Sequence, residues 1–220
     1  MQVQIKGSPS FAYLDVELGP GETIIAESDA MATMAADLDL DAKLNGGCFG
    51  GVLRKFLGGE SLFINHFTNK SQAVRHLTLA QGTPGDVRRL DLKGQSFCLQ
   101  PGAYIASTPG VTLGLQYAGL TSFIAREGLF KLMVGGNGSV WFGAYGGLVE
   151  KQVKGEYIVD TSHLVAYAPD LKLKLQLAGG IFSSLLGGEG LVTRVVGNGT
   201  IYMQTRSVTG LAGWLNPRLY

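Results

Sequence analysis

The sequence predicts a mainly β fold: internally repeated antiparallel strands closed into a barrel, with a pseudo-threefold repeat and one or two short helices. Three observations carry this reading. The chain repeats itself: Gly21-Glu22, Gly94-Gln95 and Gly155-Glu156 each open a short apolar run, Ala32, Ala106 and Ala166 follow, and Glu60-Ser61-Leu62, Glu127-Gly128-Leu129 and Glu189-Gly190-Leu191 come later. Such repetition marks supersecondary units that bury their apolar faces against one another. Glycine numbers 33 of 220 residues, about twice the usual share, which suits many tight turns. Apolar residues make up 45% and charged residues only 16%, so some apolar surface is expected to meet a partner.

The elements follow in order. Tyr13–Leu18 alternates apolar and acidic residues, the period of a strand with one buried face, and ends at Gly19-Pro20-Gly21. Val87–Leu92 before Lys93-Gly94, and Leu148–Val153 before Lys154-Gly155, occupy the matching places. A second strand follows each turn, at Thr23–Ala26, Ser96–Gln100 and Tyr157–Asp160. A third carries Ala106 and Ala166 and is closed by Pro109 and Pro169. The fourth is plainest where Leu171, Leu173, Leu175 and Leu177 alternate with Lys172, Lys174 and Gln176. Glycine-bounded inserts, 51–60 and 180–189, carry apolar residues at helical spacing and predict short helices. Phe130–Val134 and Ser139–Phe142 flank Gly135-Gly136-Asn137-Gly138, and Val192–Val196 and Thr200–Met203 flank Gly197-Asn198-Gly199. Asn-Gly between β-rich runs predicts hairpins.

With no linker or composition shift, residues 1–210 read as one β domain of three repeats, about 13–85, 86–146 and 147–210. Residues 211–220, with Trp214 and Pro217, fall outside the repeat as a C-terminal segment that caps the body or reaches a neighbouring subunit.

The segments Gly59–Thr68, Thr83-Pro84-Gly85-Asp86 and Gly188–Leu191 with Gly197–Arg206 resemble those of a family of uncharacterised bacterial and archaeal proteins. That family is related to a yeast mitochondrial biogenesis protein named for altered inheritance of mitochondria. The resemblance implies a double-stranded β-helix fold, likened to the subunits of the tryptophan-activated RNA-binding attenuation protein. It also implies symmetric oligomers, with a trimer favoured, and it supplies no catalytic residue set.

The candidate chemistry is sparse. Net charge is +1 and pI about 7.7, which argues against nucleic-acid binding driven by a basic face. The opening residues Met1–Lys6 have neither a signal-peptide core nor an Arg-rich transit pattern, so cytoplasmic residence is expected. Cys48 and Cys98 have no ligand spacing and read as buried thiols. His66 and His76 lie on opposite arms of a predicted hairpin, where they would meet, but no HxH pair of the cupin kind exists. Glu60, Glu127 and Glu189 sit at matched positions and would cluster only if the repeat brings them to one axis. No catalytic, cofactor-binding or metal-binding residues are therefore assigned, and no cofactor is expected.

Phe49, Arg54, Lys55 and Phe56 in the first insert, and Ile181, Phe182 and Leu185 in the third, are the candidate contacts to a partner or membrane surface. The expected function is a non-catalytic oligomeric scaffold or binding protein. The alternatives are a metal-dependent or small-molecule-binding β-barrel enzyme and an RNA-binding ring.

Overall fold

The computed structural model describes residues 1–44, 63–100, 102–117, 130–177 and 191–219. Among them lie sixteen strands and one α-helix, and every strand pair is antiparallel. The strands are β1 (Gln2–Lys6), β2 (Tyr13–Leu18), β3 (Thr23–Glu27), β4 (Met31–Met34), β5 (Asp39–Leu44), β6 (Phe63–Thr68), β7 (Arg75–Ala80) and β8 (Gly85–Lys93). They continue as β9 (Phe97–Leu99), β10 (Tyr104–Ser107), β11 (Val111–Tyr117), β12 (Phe130–Tyr145), β13 (Leu148–Asp160), β14 (Leu164–Tyr167), β15 (Lys172–Leu177) and β16 (Leu191–Gln204); the helix is α1 (Val208–Leu215). The inserts expected to be helical, with Cys48, Phe49, Arg54, Lys55, Phe56, Glu60, Glu127, Ile181, Phe182, Leu185 and Glu189, lie outside the described residues.

The alternation in β2 does what its period demands. Leu14, Val16 and Leu18 are fully buried while Tyr13, Asp15 and Glu17 are only partly so. Each such side chain withdrawn from water contributes about 2 kcal/mol. Three cores result. One gathers β2, β3 and β7 around Phe67 and accepts Trp141 from β12. A second surrounds Phe142 and accepts Tyr202 from β16, whose ring meets Phe142 edge-on at 5.1 Å between centroids. The third lies under β13, β15 and β16 and accepts Cys98 from β9. Large side chains thus cross from one stretch of chain into the core of the next.

The central strands each serve several neighbours. The first half of β12 pairs with β9 and β11, and its second half with β8 and β10. In the same way β16 carries β15 on its first half and β14 on its second, with β13 along its whole length. In the amino-terminal stretch two strands have partners on both edges: β6 pairs with β3 and β5, and β7 with β2 and β4. Two backbone junctions join the stretches: β10 pairs with β3 and β14 pairs with β9.

Three expectations are corrected. Lys154-Gly155 is not a turn between two strands, since β13 runs unbroken over Leu148–Asp160. Gly135–Gly138 and Gly197–Gly199 are not hairpin turns; each lies inside one continuous strand, β12 of 16 residues and β16 of 14. The positive φ of Gly136 (88°) and Gly197 (131°) bends these strands without reversing them. Each flank already has partners from elsewhere in the chain and does not fold onto the other. The closed barrel is likewise not found: among the described residues, one sheet runs β1-β2-β7-β4 and the other from β13 to β5, both open.

Where β12 and β16 bend through glycine, the amino-terminal stretch breaks at Asn69, and that side chain is wholly buried. Its Nδ2 donates to Leu18 O (2.8 Å) and Ala73 O (2.8 Å), and its Oδ1 accepts from Ser71 N (2.9 Å) and Ser71 Oγ (2.8 Å). Its backbone N donates to Glu22 O (2.9 Å) and its carbonyl accepts from Gly21 N (2.7 Å). Asn69→Ala leaves the buried Leu18 carbonyl without this donor and removes the bonds that tie Ser71 and Ala73, and is expected to lower the unfolding free energy by about 1 to 3 kcal/mol. A denaturant titration checks this, and a loss below about 0.5 kcal/mol would contradict it.

Candidate functional site

The strand ends converge on a cavity of about 680 Å³. Its walls come from the corner after β3 (Glu27, Ser28, Asp29), the corner before β10 (Gln100, Gly102, Ala103), the start of β14 and the ends of β7, β12 and β16. All three stretches of the chain therefore meet around it.

Glutamines hold this junction together. Gln81, just past β7, reaches across to β12 and donates from Nε2 to Ala144 O (3.0 Å). It passes over Gly143, where an added Cβ would stand 1.6 Å from Gln81 Oε1. Gln204 at the end of β16 accepts from Tyr145 N (2.9 Å) and donates to Ser162 O (2.8 Å). Its own carbonyl lies 2.6 Å from His163 Nδ1. A carbonyl can only accept, so that nitrogen carries the proton. Gln100 donates its backbone N–H to Val165 O (2.8 Å), whereas its buried Nε2 has no hydrogen-bond partner among the described residues.

Behind the cavity wall, Tyr104 is almost completely buried. Its hydroxyl donates to Ile25 O (3.2 Å) and lies 2.9 Å from Ser107 Oγ. Burial pushes its pKa far above the ordinary tyrosine value, the Ser107 hydrogen bond opposing and the nearby Glu27 charge adding to the rise.

This arrangement offers amides, backbone groups and the carboxylates Glu27 and Asp29, which suits binding. Ser162, His163 and Asp160, neighbours in sequence just before β14, form the cap of a 3₁₀ turn. Asp160 Oδ1 accepts from Ser162 N (2.8 Å) and Ser162 Oγ (2.6 Å), so the hydroxyl points at the carboxylate and not at the imidazole. A triad needs the base on the nucleophile.

The histidines proposed to meet do not. His66 is on β6, in register between Ile25 and Asp41, while His76 is on β7 opposite Glu17, in a different sheet. Among the described residues, no group of three or more His, Cys, Asp or Glu is placed to hold a metal ion. Cys98 is buried, and desolvation raises its thiol pKa against the opposing pull of Tyr167 and Lys131. No described helix is long and apolar enough to cross a membrane.

The family model described as mitochondrial biogenesis AIM24 matches residues 3–206. The chain belongs to that family. An uncharacterized protein of Streptococcus pyogenes serotype M6 is 27% identical over 224 residues, 98% of this chain and 90% of the relative. A Streptococcus pyogenes protein solved by X-ray crystallography is 26% identical with a TM-score of 0.79, and the match covers 99% of each chain. These comparisons attach no reaction to this member of the AIM24 family.

Gln81 and Gly143 carry no periodic or motif signal, whereas Gln204 lies inside the Gly197–Arg206 segment that carries the family resemblance, though nothing there singles out its amide. Gly143→Ala should displace the Gln81 amide and cost about 1 to 2 kcal/mol of stability, but much less in a Gln81→Ala background. Equal costs in the two backgrounds would contradict the crossing described here.

Tyr104 gives a pH prediction. Its folded pKa lies above the value of 10.0 ordinary for tyrosine, so the folded state holds its proton where the unfolded state releases it. The stability this residue contributes is complete below pH 10 and declines as pH rises further. Chemical denaturation at pH 9 and 11 should show a smaller loss of stability in Tyr104→Phe than in the parent. An equal loss would contradict this.

Proposed function

We propose that this protein is a non-catalytic scaffold or binding protein that works as a homo-oligomer, with a trimer the favoured assembly. In this reading, residues about 13–85, 86–146 and 147–210 are copies of one strand module wound in the double-stranded β-helix manner about a pseudo-threefold axis. Cytoplasmic residence is part of the same proposal and rests on composition.

The observation that carries it is α1. None of its residues is buried, none is charged, and Val208, Leu211 and Trp214 are exposed, Trp214 by 56%. Ser207 caps it by accepting from Gly210 N (3.0 Å), and Arg218 closes its other end by donating to Trp214 O (2.6 Å). Eight residues that include Gly210 and Gly213 make a helix too short and too glycine-rich to persist alone in water. An uncharged apolar helix of this kind gains its stability from a surface that covers it.

A mostly apolar hollow lined by Phe11, Ala12, Ala32 and Pro84 adds exposed apolar area, with Phe11 itself 74% exposed. The insert residues Phe49, Arg54, Lys55, Phe56, Ile181, Phe182 and Leu185 belong to the same reading as further contacts to a protein or membrane surface.

Light scattering at micromolar concentration should give a mass that is a multiple of 23.3 kDa, threefold for the favoured trimer. Leu211→Glu with Trp214→Glu should lower that mass while leaving the β circular-dichroism signal unchanged. A monomeric parent would overturn the proposal.

A further inference from the structure

The two junctions inside the chain follow one rule. At the first, Ala106 of β10 lies opposite Ala26 of β3 and Ser107 opposite Ile25. At the second, Ala166 of β14 lies opposite Leu99 of β9 and Tyr167 opposite Cys98. In both, the joining strand carries a register shift just before the contact, between Tyr104 and Ala106 and between Leu164 and Ala166. In both, the receiving strand is paired on its other edge with the first half of a central strand: Ala26 opposite Asn65, Leu99 opposite Leu132. Ala26, Leu99, Ala106 and Ala166 are all fully buried there.

One strand of each type is left over. β4 has the same register shift, between Met31 and Thr33, on β7, and, among the described residues, no strand on its other edge. The second half of β13 pairs with β16, Val159 opposite Thr193 and Ile158 opposite Arg194, and among the described residues no strand pairs with its outer edge. These edges are unusually apolar for unpaired strands, with Met31 38%, Tyr157 37% and Ile158 52% exposed. Unprotected edges of this kind are templates for pairing with another chain.

We infer that β4 of one copy joins β13 of a second copy in the register of the internal junctions. The inference rests on the oligomeric reading above and names its interface. Backbone pairs at corresponding places fix that register. Leu38 N to Ala35 O, Val111 N to Thr108 O and Leu171 N to Ala168 O close equivalent turns after the joining strands, at 3.1, 3.0 and 3.1 Å. Thr33 therefore takes the place of Ala106 and Ala166, and Val159 that of Ala26 and Leu99. Thr33 of one copy faces Val159 of the next, and Met34 faces Ile158. Because the two edges differ, the contact is head-to-tail and completes itself by closing a ring.

The test mixes two variants, Met34→Cys and Ile158→Cys, each with Cys48→Ser and distinguishable by a mass tag, under mild oxidation. Directly opposed strand residues have Cβ atoms close enough for a disulfide. A mixed disulfide-linked dimer, absent when either variant is oxidised alone, is expected. In parallel, Ile158→Lys should weaken self-association about tenfold or more by light scattering. An Ile158→Lys protein that assembles like the parent, with no mixed disulfide, overturns this interface and leaves the oligomer standing. A monomeric parent overturns both. An intrachain disulfide in the Met34→Cys/Ile158→Cys double variant also overturns the inference, because the edges would then close within one chain.

Discussion

Two very short backbone ladders hold the molecule together: β10 against β3 and β14 against β9, each only two residue pairs long. The stretches are otherwise joined by side-chain packing, by the side-chain hydrogen bonds of Gln81, Tyr104 and Gln204, and by single backbone bonds such as Arg206 N to Tyr145 O (3.2 Å). The ladders pair small residues with one another and with larger ones: Ala106 with Ala26, Ser107 with Ile25, Ala166 with Leu99 and Tyr167 with Cys98. Ala26, Ala106 and Ala166 are completely buried, as is Ser107. A larger side chain there would push the sheets apart, as overpacking does in any dense core. Thr33 of β4 is exposed and, among the described residues, pairs on one edge only, opposite Thr78 of β7.

Around these ladders the central strands act as shared walls. Trp141 leaves β12 for the core around Phe67, and Tyr202 leaves β16 for the core around Phe142. Cys98 does the same from β9 toward β16. Each core is therefore closed by a side chain from its neighbour, and damage to one stretch should propagate to the next. The polar clips at the cavity, Gln81 to Ala144 and Gln204 to Tyr145 and Ser162, repeat this logic with hydrogen bonds at the strand ends. Ligand binding in that cavity would therefore bear on all three stretches at once.

Much of this is legible in the residues. The alternation of Tyr13–Leu18 marks β2 at its observed bounds, and the leucine-lysine alternation marks β15. Gly21 and Gly94, read as turn residues, lie between strands with positive φ, whereas Gly155, read the same way, has positive φ inside the unbroken strand β13. The hairpin reading of Gly135–Gly138 failed for a definite reason. A glycine-asparagine run supplies the same local freedom to a tight turn and to a bend within a strand. Which one forms depends on whether the flanks find partners elsewhere, and β8, β9, β10 and β11 supply them. The pairing of His66 with His76 failed with it, since the arms that were to oppose them belong to separate sheets. The glutamine clips were invisible because an amide at a strand end has no period and no partner residue at fixed spacing. Residues proposed from the inserts, such as Phe56 and Leu185, stand outside the described part of the chain.

The measurement closest to the central claim is native-state hydrogen exchange followed by mass spectrometry across a denaturant series. If the two ladders bind the stretches into one cooperative body, amides of β3, β9, β10 and β14 exchange only through the slowest, global opening, together with those of β12 and β16. Exchange of β3 and β10 at a distinctly lower free energy than the central strands, with the amino-terminal stretch opening by itself, would contradict it.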